Sequence, residues 1–267
     1  MGINTKALRH RIKSVDSTLH LTKAMGLVAS SKIRRALDSM NQGKEYLKAV
    51  NRIIELLITL PECKKSPYMQ NRDGDRMKLI VIAGDRGLAG GYNANVFRLA
   101  KEIPNAQIIP IGNRACDRYG ETGNSSEYFS YTEAYVLAEK LCKAFTSGEF
   151  DKLGIIGTKY VSLLSQKAQI TWLLPLNSAD EKTSVSTVFE PDELLVLKAA
   201  VPEYLSGIIF AAVRESFACE IVARRTAMDS ASKNAQEMIE RLLLEYNRAR
   251  QGAITQEITE IVAGSDE

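Results

Sequence analysis

Ten residues, Gly84-Asp85-Arg86-Gly87-Leu88-Ala89-Gly90-Gly91-Tyr92-Asn93, form a glycine-rich run between an apolar segment at 78–83 and a helical pattern at 93–103. Glycines at such a turn let backbone N–H groups approach a phosphate, and the N-terminus of the following helix favours an anion. The spacing matches neither G-x-G-x-x-G nor G-x-x-x-x-G-K-[ST], so no nucleotide fingerprint is present. The run reads instead as a tight turn that presents Arg86 to a partner protein. Cys63, Cys116, Cys142 and Cys219 are far apart and include no Cys-x-x-Cys pair, a usage that suits a reducing compartment and offers no metal set. His10 and His20 have no acidic or cysteine cluster beside them and are expected to face solvent. No zinc-type helix motif or nucleophile elbow occurs, so the residues place no catalysis, cofactor or metal on this chain.

The elements that hold this loop announce themselves through the prolines. All seven lie between Pro61 and Pro202, which leaves about sixty residues at each end free to form unbroken helix. In the first stretch Leu8, Ile12, Val15, Leu19, Thr22, Gly26, Ala29, Ile33, Ala36, Met40, Gly43, Leu47, Val50, Ile54 and Leu57 step by alternate fours and threes. That is the repeat of a supercoiled seam, and its small members (Thr22, Ala29, Ala36, Gly43) permit close helix approach. The last stretch carries a matching stripe, Phe217, Ile221, Met228, Ala231, Ala235, Met238 and Leu242. The two stripes bury each other most simply as an antiparallel coiled coil, with each helix reaching roughly 80 to 90 Å at about 1.5 Å per residue.

Between the ends the periodicity is mixed. Residues 78–83, 107–111, 152–157 and 169–176 read as strands, and 93–103 and 132–145 as helices. Alternation of this kind predicts a Rossmann-like α/β domain with a mostly parallel sheet. Turn formers at 61–75 and 179–202 then act as linkers. The expected organisation is an N-terminal coiled-coil helix at 1–60, a central α/β domain at 76–178 and a C-terminal coiled-coil helix at 203–267. No apolar run approaches a membrane span, and the chain starts with polar and basic helix, so it is not expected to enter a membrane.

The formal charge of +3 conceals an asymmetry. Residues 1–60 hold eleven Lys and Arg against four acids, whereas 203–262 hold seven against nine. A basic helix can follow nucleic acid, face an acidic protein or simply keep a long helix solvated. Against nucleic acid, Tyr46 is the lone aromatic on it, and the basic residues spread around the helix. Two places are apolar beyond the needs of a seam: Ala24, Met25, Leu27, Val28 and Ala29 in the first helix, and Ile254, Ile258, Ile261, Val262 and Ala263 in the last. A helix apolar all round is buried all round. These segments either pack on one another or on a second copy, or they sit in a sleeve made by other subunits.

Three blocks then carry a resemblance: residues 12–35 (IKSVDSTLHLTKAMGLVASSKIRR), the GDRGLAGGYN loop at 84–93, and residues 245–264 (EYNRARQGAITQEITEIVAG). Together they resemble the gamma subunits of F-type ATP synthases over essentially the full length. The resemblance implies a central-stalk rotor whose coiled coil turns inside a ring of three alpha and three beta subunits, coupling proton flow through the c-ring to ATP synthesis or hydrolysis on beta. It implies no catalysis on this chain, no cofactor and no metal. Its partners are then alpha, beta, epsilon and the c-ring, with no nucleic acid and no direct membrane insertion. Residue by residue it places Lys23, Met25, Arg86, Ala89, Arg250, Gln251, Thr255 and Glu257 at the beta interface, and Phe189 and Glu190 at the c-ring and epsilon. Gly84 stands where serine is common in the family and Ala89 where bacterial members often carry cysteine, changes expected to leave the loop's role intact. The implied location is peripheral, on the cytoplasmic face of a bacterial cell membrane. A basic coiled coil that binds nucleic acid is the alternative.

Overall fold

The computed structural model describes residues 5–72, 74–120, 125–177 and 189–265. Helix α1 (Thr5–Thr59) runs without a break and stops just before Pro61, whose ring disfavours helix in the residue ahead of it. Every described seam position of α1 is buried or half-buried. The closing helix α5 (Glu193–Ser265) starts inside the stretch expected to be a linker. Asp192 caps it, accepting the Leu195 N–H on Oδ1 at 2.8 Å. Pro202 then lies within the helix. A proline there removes one helical hydrogen bond, but Leu197, Val201, Leu205, Ile209 and Val213, spaced by four, are all fully buried in the central core. That burial outweighs the lost bond and sets the boundary. Helix α5 also contains a stretch long and apolar enough to cross a membrane by length and composition, contrary to the sequence reading. The five side chains just named face protein core, which accounts for much of this apolar character.

Four strands make one sheet in the order β2-β1-β3-β4. β1 (Met77–Ile82), β2 (Gln107–Ile111) and β3 (Lys152–Tyr160) are parallel, and β4 (Gln166–Leu174) returns antiparallel to β3 through a hairpin. Central β1 is buried on both faces from Leu79 onward, hence the unbroken apolar run Leu79-Ile80-Val81-Ile82. Ile80 and Ile82 point to one side, against α4 (Tyr131–Thr146) and the ends of the long helices. Leu79 and Val81 point to the other, against Val96 and Ala100 of α2 (Tyr92–Lys101). A short helix α3 (Asn113–Tyr119), which the sequence pattern did not reveal, follows β2.

The chain forms two compact units, residues 1–30 with 224–267 and residues 31–223. The expected divisions at 60 and 203 fall within the second, because Ile54, Leu57 and Ile58 share one core with the sheet and with the 197–213 stripe. In the first unit Leu19, Ala235 and Ile239 form a cluster flanked by Ile12 and Val15. The Ser232 hydroxyl donates to Thr22 Oγ1 at 2.8 Å, and a Cβ placed on Gly26 would lie 3.6 Å from Met228. Partner numbers fall on one helix as they rise on the other, so the pair is antiparallel. Two details of the stripes differ from expectation. Ile239, not Met238, faces the seam, and Met238 is exposed. A Cβ on Gly43 would meet nothing within 4 Å, so that glycine serves no close approach.

Candidate partner interface

The glycine-rich loop is held from both sides by carboxylates. Asp85 accepts five hydrogen bonds: Oδ1 from the N–H groups of Asn113 (3.0 Å) and Ser126 (2.8 Å), and Oδ2 from the Ser125 hydroxyl (2.7 Å), the Ser126 hydroxyl (3.1 Å) and the Glu127 N–H (2.9 Å). Burial works to raise the Asp85 carboxyl, but these donors outweigh it and hold it below the usual range. Glu220, on α5 and 2% exposed, accepts the Asp85 and Arg86 N–H groups, each at 3.4 Å. The Gly84 N–H goes to Asn93 Oδ1 at 2.9 Å.

This geometry decides what the loop can bind. The amides of Gly84, Asp85 and Arg86 are committed to the chain's own side chains, and two carboxylates stand beside them. The loop is built to display residues outward. Leu88, at φ 62°, is 61% exposed, and the Arg86 guanidinium reaches into solvent 3.9 Å from Glu127. Ala89 does not share this display. It is buried beside Tyr92 and Cys219, where its methyl packs.

The other expected contact residues fall into three groups. Lys23 is exposed and Met25 half-buried on α1, next to the exposed Leu21, Leu27 and Val28. Arg250, Gln251, Thr255 and Glu257 are exposed on α5 beside Ile254, Ile258, Ile261 and Val262. The Thr255 hydroxyl donates back to the Gln251 carbonyl at 2.9 Å, leaving its oxygen lone pairs and methyl outward. Ile254, Ile258 and Ile261 repeat at fours and threes, which puts them on one helix face. Phe189 is packed against the central core and is a weaker contact candidate than expected, whereas Glu190 is exposed.

Sequence reasoning passed over Glu127 and Glu220. Glu127 ties the loop's surroundings together: Lys32 donates to its carboxylate at 2.6 Å, and Arg214 donates to its carbonyl at 3.1 Å. Glu220 had a visible signal, a lone carboxylate within Ala218-Cys219-Glu220-Ile221-Val222. Among the described residues no group of His, Cys, Asp or Glu is placed to hold a metal, and all four cysteines are buried free thiols.

The sequence model of a family described as ATP synthase matches residues 4–266. An ATP synthase gamma chain of Ruminococcus albus is 38% identical over 280 residues, 98% of each chain. The chain belongs to the ATP synthase gamma-chain family. A sodium-ion-specific gamma chain of Acetobacterium woodii is 36% identical, covering 100% of this chain and 99% of its own. A chain from the Euglena gracilis mitochondrial ATP synthase, in an OSCP/F1/c-ring structure, shares the fold with TM-score 0.67 at 17% identity, over 98% of this chain and 93% of that one. A chain from the Tetrahymena thermophila central stalk and c-ring gives 0.62 at 18% identity, over 79% and 99%. Nothing in these relatives favours the nucleic-acid reading of the basic helix. Membership in the gamma-chain family makes this chain a non-catalytic subunit of an assembly attached to a membrane.

Proposed function

We propose that this chain is the central shaft of a rotary ATP synthase, turning inside a ring of three alpha and three beta subunits. Proton flow through the c-ring turns it, and its unequal faces drive the catalytic sites on beta through states of different nucleotide affinity. Lys23, Met25, Arg86, Arg250, Gln251, Thr255 and Glu257 meet beta. The segment around Phe189 and Glu190 meets epsilon and the c-ring, with Glu190 the outward residue. The chain sits on the cytoplasmic face of a bacterial membrane and touches lipid only through its partners.

The observation that carries this reading is the exposed row Ile254, Ile258 and Ile261 with Val262, a surface of the kind that marks an interface. A ring of subunits closing around the helix supplies the missing cover. Co-purification of tagged chain with its own alpha and beta subunits tests it, comparing full length with a chain ending at Arg248. The expected result is a stable complex whose ATPase activity depends on the last residues. Failure of the full-length chain to form any complex sinks the proposal, and equal activity of both chains removes the role of the apolar row.

A further inference from the structure

One face of α5 carries Glu215, Ser216, Cys219 and Glu220, and each of these binds the backbone of the sheet's upper edge. Glu215 accepts the Tyr160 N–H at 3.2 Å, and the Ser216 hydroxyl accepts the Thr158 N–H at 3.0 Å. The Ser216 carbonyl takes the Tyr92 hydroxyl at 2.8 Å, and the Cys219 thiol donates to the Thr158 carbonyl at 3.4 Å. Glu220 completes the row on the Asp85 and Arg86 amides. Residues spaced i, i+1, i+4 and i+5 share one helix face. That face therefore holds both the end of β3 and the loop that displays Arg86 and Leu88.

A carboxylate 2% exposed is costly to keep unless it is hydrogen-bonded. A packing role alone is met by an apolar residue, as at the neighbouring Ala218 and Ile221. We infer that Glu220 is a positioning residue: it fixes the 84–88 loop rigidly to α5, so that turning force passes between the helix and the α/β domain through this joint. Gly84 is its complement. A Cβ at position 84 would fall 2.6 Å from Glu220 Cδ, so here the glycine makes room for the carboxylate. The role of the joint rests on the shaft reading, while the pinning of the loop stands on the geometry of the chain alone.

Two readouts separate the two. A spin label on Leu88→Cys in the full-length chain reports loop mobility without partners, the four native thiols being buried. Glu220→Gln and Glu220→Ala should each raise the ratio of mobile to immobile label about tenfold, as expected for losing buried hydrogen bonds. In complexes with alpha, beta and the membrane sector in vesicles, both variants should keep ATP hydrolysis but pump fewer ions per ATP. Gly84→Ala should push the Glu220 carboxylate off the loop amides and raise label mobility as the Glu220 variants do, and Gly84→Ala with Glu220→Ala should not recover pumping. Full recovery of pumping in that double variant overturns the positioning role in favour of simple packing. Unchanged label mobility in both Glu220 variants overturns it as well. If the unaltered chain itself gives no coupled pumping, it is the shaft reading that fails.

Discussion

Asp85 gathers donors from two separate segments, 113 and 125–127, onto one carboxylate. Because its folded-state acidity is raised relative to the unfolded chain, its stabilisation is present above the unfolded carboxyl value, about pH 4, and is lost as pH falls through and below it. Asp85→Ala should therefore cost about 2–3 kcal/mol at pH 7, with the difference from the parent shrinking toward pH 3. Urea unfolding at the two pH values measures this, and an equal loss at both contradicts the electrostatic account. At this scale the sequence was only half legible. The 84–93 run marked the loop, and Arg86 is displayed as expected. It could not show that Asp85 bonds a segment forty residues away, because such bonds depend on tertiary placement and leave no periodicity. Nor could it show that Ala89 is buried, because a small residue in a turn looks the same whether it faces solvent or Cys219.

Helices and strands were read more easily, since each buries a face whose spacing the chain itself records. The seam of α1 and the segment 107–111 stand where the pattern put them. Errors came where two signals competed. Pro202 argued for a helix start near 203, but the buried row from Leu197 to Val213 decides the matter. Along the second stripe, Met238 and Ile239 are both apolar and adjacent, so spacing alone left the face ambiguous by one residue. The structure resolves it, and mutation can check it: Ile239→Ala should destabilise the chain by about 2–4 kcal/mol, and Met238→Ala by less than about 1 kcal/mol. Thermal unfolding followed by circular dichroism gives both values. A larger loss at Met238 reverses the face assignment. Helix α3 went unseen because seven residues starting behind Gly112 at φ 93° give too short a pattern to count.

For the molecule as a whole, function rests on surfaces and not on a reactive centre. The basic N-terminal helix, the displayed Arg86 and Leu88 and the apolar end of α5 are three surfaces offered outward by one chain of the gamma-chain family. Within the central unit, the joint at 215–220 ties the loop's edge of the sheet to the helix that would carry the turning force. The parallel strands put the opposite end of the sheet, where residue 105 precedes β2, away from that loop edge. Asn105 is exposed and gives an attachment point clear of the proposed contacts. The most direct measurement is to fix a ring of alpha and beta subunits to a surface, attach a bead to this chain through Asn105→Cys, and supply ATP. The account predicts continuous rotation in one direction, with three pauses per turn at limiting ATP, one for each beta subunit. A bead that stays still while the same complex hydrolyses ATP would contradict it.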